Sequence, residues 1–112
     1  MFTETTFATT RITEIDLPAA TNVRCMFYNM ESSGNSLQIN KISAAQATVA
    51  SRMFFNAHGI AKIGTIDLSS ATTASEIFSD ASNLKMLLRP IFKVANVDLT
   101  WSFRRCPLNV IF

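Results

Sequence analysis

The sequence predicts an α+β fold: one small domain over residues 1–112, with a mainly antiparallel sheet of five to six strands packed on a central helix at about 43–58 and a second, irregular helix at about 73–88. Three observations lead there. The stretch Ile42–Gly59 carries a helix start signal and a helix stop signal around an apolar stripe. The segments flanking it are rich in β-branched and alternating apolar residues. The length of 112 residues fits one domain with a shared core.

Taken in order, Thr9–Leu17 is rich in β-branched side chains and stops at Pro18, which cannot donate to a sheet ladder. Asn22–Glu31 reads as a second strand, apolar on both faces and therefore central. Ser32-Ser33-Gly34-Asn35 is a turn sequence, and Ser36–Lys41 the returning arm of a hairpin. Ser43 and Gln46 have the spacing of a capping box, and Ile42 and Ala47 that of a hydrophobic staple. Val49, Ala50, Met53, Phe54 and Ala57 then fall on one helical face. Gly59 closes the segment, with His58 in its last turn.

Ile60–Leu68 returns to a strand pattern, and here the chain repeats itself. Arg11–Thr21 aligns with Lys62–Thr72 at six of eleven positions, and Phe27 aligns with Phe78 at the same offset. Two copies are too few for a repeat architecture, so the match reads as two equivalent strands or as chance in a Thr/Ala/Ile-rich chain. Thr73–Glu76 offers a second capping box, followed by Ile77, Ala81, Leu84 and Leu88 up to Pro90. This conflicts with the alignment, and the capping signal is preferred. Ile91–Ala95 forms an adjoining strand. Val97, Leu99, Trp101 and Phe103 alternate with polar residues, which predicts a strand with an aromatic face turned inward.

Composition narrows function. Charged residues make up 16% of the chain against about 25% in an average soluble domain. A surface this poor in charge favours self-association. The net charge of +2 is uneven: residues 85–112 hold five basic groups and one acidic. There is no basic-then-apolar leader and no apolar run near the roughly 18 residues that span a bilayer, so secretion and membrane insertion are disfavoured and a cytoplasmic or intraparticle location is expected. Cys25 and Cys106 lack metal-type spacing and read as buried thiols.

No phosphate loop, His-Glu-x-x-His, Cys-x-x-Cys or nucleophile elbow occurs, and thiol or hydroxyl catalysis would rest on His58 alone. Asp16, Asp67 and Asp98 share an Ile/Val-Asp-Leu setting, but strand-end aspartates explain them better than a cation site, and no metal or cofactor is expected. The leading expectation is a non-enzymatic subunit of a homomeric assembly, a viral or phage particle component being one instance. Its contacts are Met1 and Phe2 at one end and Leu108, Val110, Ile111 and Phe112 at the other. The alternative is a small protein that binds single-stranded nucleic acid through Lys85, Arg89, Lys93, Arg104 and Arg105. Nothing points to a small-molecule substrate.

Overall fold

A computed structural model describes residues 6–7, 11–32, 36–92, 97–107 and 109–110. Among the described residues eight strands follow one another: β1 (Thr6–Phe7), β2 (Arg11–Ile12), β3 (Ile15–Asp16), β4 (Glu31–Ser32), β5 (Leu37–Ser43), β6 (Ile60–Asp67), β7 (Met86–Ile91) and β8 (Asn109–Val110). Every pairing is parallel. The main sheet runs β2-β5-β6-β7-β8, with β3 also on β5, and β1 pairs separately with β4. Parallel neighbours need a crossover between them. Here each crossover is a loop of turns that stacks on the one before it, giving a β-solenoid.

The register defines the coil. Ile12, Ile39, Ile63, Leu87 and Val110 occupy one row across the sheet. Ile39 to Ile63 and Ile63 to Leu87 are each 24 residues, whereas the first coil, Ile12 to Ile39, takes 27. A second wall is held by bridges between Asn22, Val49, Thr73 and Asp98. Beyond it, Phe27, Phe54, Phe78 and Phe103 form a continuous stack inside the coil, with ring centroids 5.0, 5.3 and 5.6 Å apart. That spacing follows the roughly 4.8 Å rise between parallel strands.

The core is a set of such rows. Leu37 and Ile60, Ile39 and Ile63, Ile42 and Ile66, Ala47 and Ala71, and Ala50 and Ala74 are all buried. Burial at both Ile39 and Ile42 breaks the period of two expected of a strand. The chain bends between them: the β5–β6 register passes from Ile39↔Ile63 to Lys41↔Thr65 without pairing Asn40 to Gly64. Gly64 is needed at this bend, because a Cβ there would run into the carbonyl oxygen of Asn40.

The antiparallel α+β expectation is therefore overturned. No helix occurs among the described residues, over 43–58 or over 73–88. The three-residue spacing of Ala44, Ala47, Ala50 and Met53 comes from successive tight turns, in which Ala47 N–H donates to Ala44 C=O and Met53 N–H to Ala50 C=O. Such bonds share the i to i+3 reach of a helix start. Left-handed residues stop them from propagating: Arg52 and Asn56 have φ of 55° and 56°, and Glu76 and Asp80 repeat this at 55° and 57°. Ser43, the expected helix cap, is the last residue of β5.

Other expectations are corrected by the same geometry. Within Asn22–Glu31, residues 24–29 are turns, so this segment is not a central strand and forms no hairpin with β5. Residues 100–105 are turns instead of the final alternating strand. Ile91 ends β7, and the adjoining strand expected to Ala95 falls mostly outside the described residues. Ile60–Leu68 is a strand almost to its expected end. The internal similarity of Arg11–Thr21 to Lys62–Thr72 matches the structural register two coils apart, with Gln38–Thr48 between them.

Candidate functional site

The coil walls differ in chemistry. On the wall of turns, past its bridges, hydrogen bonds between coils run one way. Ala50, Arg52, Phe54 and Asn56 donate their N–H groups to the carbonyls of Thr73, Ser75, Ile77 and Ser79 in the following coil. Ala74, Glu76, Phe78 and Asp80 donate in turn to Asp98, Thr100, Ser102 and Arg104. At these positions each coil points N–H groups forward along the solenoid and C=O groups backward, while Thr48, Thr72 and Asp98, where the chain enters this wall, donate backward to Thr21, Thr48 and Thr72.

This polarity leaves a row at the last coil. The N–H groups of Leu99, Trp101 and Arg105 have no acceptor among the described residues. Leu99 occupies the row of Val23, Ala50 and Ala74, all buried, yet is itself 38% exposed. Trp101 is 62% exposed. It holds a left-handed φ of 54°, which turns it outward and corrects the expectation that it faces the core. Phe103, on the inner stack, does face inward. The signal for Trp101 lay in the turn repeat: it occupies the same place as Arg52 and Glu76 two and one coils earlier.

The basic residues of the last quarter do not form one cluster. Lys85 is exposed just before β7, and Arg89 lies in β7 with its backbone in register with Thr65. Arg104 and Arg105 lie on the wall of turns. Arg104 places its guanidinium 5.1 Å from the centroid of the Trp101 ring. Arg105 is paired with Asp80, with Nη2 3.0 Å from Oδ2 and Nε 2.5 Å from Oδ1. Lys93 lies outside the described residues. On the sheet wall Arg11, Gln38, Lys62 and Met86 share one row, with Lys85 next to its end, whereas the Arg89 backbone shares another row with Thr65 and Lys41, and Lys41 meets Glu14 at 3.7 Å.

Of the expected assembly contacts, Met1, Phe2, Leu108, Ile111 and Phe112 lie outside the described residues. Val110 belongs to β8, whose backbone pairs with Leu87 of the same chain. At Asn109–Val110 the tail adds to the sheet of its own chain.

His58 Nδ1 and Ser82 Oγ are 2.7 Å apart, and the His58 carbonyl accepts a 2.7 Å bond from Asn83 Nδ2. These contacts join neighbouring coils and bring neither cysteine to the ring. No disulfide joins Cys25 and Cys106, which lie in different rows and different coils. Asp16 and Asp67 share a row with Ser43 between them, whereas Asp98 lies on another wall beside Thr73. Their common setting therefore does not bring three carboxylates together. Asp98 accepts from Thr100 Oγ1 at 2.6 Å and Thr100 N–H at 3.0 Å, and these two bonds hold its carboxyl below the usual carboxylate range. It remains an anion beside the open row. No helix among the described residues is long and apolar enough to cross a membrane.

Comparison with protein-family models, with curated proteins and with solved structures finds no match to the chain.

Proposed function

We propose that the protein is a non-enzymatic assembly subunit that works by self-association, with its last coil as the contact. One observation carries this reading: among the described residues the N–H groups of Leu99, Trp101 and Arg105 meet no acceptor, at a coil edge where Leu99 and Trp101 are also exposed. An open edge of this kind recruits further polypeptide. The low charge of the chain, 16%, supplies little repulsion against it. Such a subunit belongs in the cytoplasm or inside a viral or phage particle. The test is sedimentation velocity across a wide concentration range. The expected result is a mass above one chain that rises with concentration, and a monomer throughout rejects the reading.

A second reading, weak binding of single-stranded nucleic acid, is supported by the sheet wall, where Arg11 and Lys62 share a row through Gln38 and the exposed Lys85 precedes Met86 at the end of that row. Binding here would rest on phosphate contacts and fall steeply with salt. Lys62→Ala with Lys85→Ala should reduce retention of single-stranded RNA, while Arg105→Ala should leave it nearly unchanged because Asp80 already holds Arg105. No retention at low salt rejects it.

A further inference from the structure

We propose that Ser82 is a reactive serine that accepts an acyl group from an activated carboxylic ester, with His58 as its general base. The proposal goes beyond the assembly reading and is independent of it, because it uses neither the last coil nor a second copy. With one histidine in the chain, hydroxyl chemistry is built on His58 or not at all. The turns bring it the hydroxyl. His58 N–H donates to Asn56 C=O and Ser82 N–H to Asp80 C=O, so the two residues hold the same place in successive coils. Stacking then sets His58 Nδ1 2.7 Å from Ser82 Oγ, within the reach required of a base and its nucleophile. The His58 backbone is fixed on both sides, by its own N–H bond of 3.1 Å and by Asn83 Nδ2, which donates to its carbonyl at 2.7 Å. Ser82 is exposed and His58 half-buried, so the hydroxyl is open to a reagent while the base is held.

Two further groups bear on the step. The Asn83 N–H, on the peptide that follows Ser82, meets no acceptor among the described residues and is the nearest backbone donor for an oxyanion formed at Ser82. Glu31 is exposed and stands two residues past Asn29, as His58 stands two past Asn56, whose Nδ2 donates to Asn29 Oδ1 at 2.7 Å. A carboxylate side chain thus leaves the preceding coil in the same row, its backbone one coil rise of about 4.8 Å away. An Nε2–H bond to it would fix the tautomer that leaves Nδ1 as the base. In that tautomer Ser82 Oγ–H donates to Nδ1. Oγ attacks the acyl carbon and forms the new C–O bond as its proton passes to Nδ1. The tetrahedral intermediate then expels the alcohol oxygen of the ester with its bonding pair, and the proton on Nδ1 neutralises it. The products are O-acyl Ser82 and the free alcohol, and nothing is oxidised or reduced. Nearby, Asp80 is held by Arg105, and the exposed Lys85 amine is the competing nucleophile.

The test is reaction of the full chain with p-nitrophenyl acetate. Release of p-nitrophenolate is followed by absorbance, and the acetylated residue is mapped by peptide mass spectrometry. The expected result is a burst of about one equivalent per chain, with the acetyl group on Ser82. Ser82→Ala should abolish the burst, and His58→Gln should slow it at least about 10-fold. Glu31→Gln should slow it by a smaller factor and have no effect in a His58→Gln background, because Glu31 acts only through the ring. Circular dichroism identifies any variant that has not folded, and mapping on the wild type needs no variant. Acetyl on Lys85 or another amine with none on Ser82 overturns the proposal. So does a Ser82 rate that is unchanged in folded His58→Gln. An effect of Glu31→Gln that persists without the ring overturns the positioning role of Glu31.

Discussion

The inner coils and the last coil follow the same backbone path with different neighbours. Phe54 and Phe78 each lie between two rings and are fully buried, while Phe103 has Phe78 on one side and is only partly buried. Ala50 and Ala74 are fully covered, whereas Leu99 in the same row is 38% exposed. Ring spacing and tilt also grow toward the end, from 5.0 Å and 5° at Phe27–Phe54 to 5.6 Å and 16° at Phe78–Phe103. In a solenoid, burial is supplied by the adjacent coil as well as by the residue's own coil. Equivalent side chains should therefore differ in energetic value by position along the axis.

The largest effect should come from the ring stack. Phe54→Ala removes a fully buried ring with partners on both sides and should cost about 3–5 kcal/mol. Phe103→Ala should cost about half that or less, because its ring is already partly hydrated. Chemical denaturation of both variants measures the difference. Equal losses would show that the last coil is as well covered as the inner ones.

The second effect separates the bend from the stack. Gly64→Ala should destabilise by about 1–3 kcal/mol, since the new Cβ meets backbone at Asn40, which cannot yield as a flexible side chain can. Leu88, the equivalent position one coil later, already carries a large side chain and is exposed. Leu88→Ala should therefore change stability by only a few tenths of a kcal/mol. If Gly64→Ala is equally mild, the close approach of the two inner coils is not what holds the bend.

The same contrast explains what the sequence could and could not show. Arg11–Thr21 and Lys62–Thr72 match at six of eleven positions, and the pairing was visible without coordinates. The intervening coil, Gln38–Thr48, keeps only Ile39, Ile42, Ala47 and Thr48 in common with Lys62–Thr72, and the longer first coil breaks the spacing. With the middle copy hidden, two copies looked like too few for a repeat. The capping boxes then misled, because Ser43–Gln46 and Thr73–Glu76 sit where a chain leaves one wall and enters turns whose first bonds resemble a helix start. The decisive residues were the left-handed ones. Asn29, Asn56 and Asp80 are types that tolerate φ near 55°, but Cys25, Arg52, Glu76 and Trp101 give no such hint. The candidate site was less legible still. That Arg104 and Arg105 lie away from Lys85, and that Trp101 faces outward, depend on the coil register.

The smallest effect concerns the acid dependence of the last coil. Asp98 is held below the usual carboxylate range first by the Thr100 hydroxyl and then by the Thr100 N–H. A carboxyl depressed in the folded state contributes stability that is fully present above its unfolded pKa of about 3.9 and is lost as pH falls through the folded value. Thr100→Val deletes the hydroxyl bond and retains the backbone bond, so the Asp98 carboxyl should titrate at higher pH and part of this acid-sensitive stability should disappear. Carboxyl carbon titration by NMR should show Asp98 moving to higher pH between wild type and Thr100→Val. An Asp98 titration that does not move would mean that the Thr100 N–H alone holds the carboxylate, and the hydroxyl bond would then carry none of the acid dependence of the last coil.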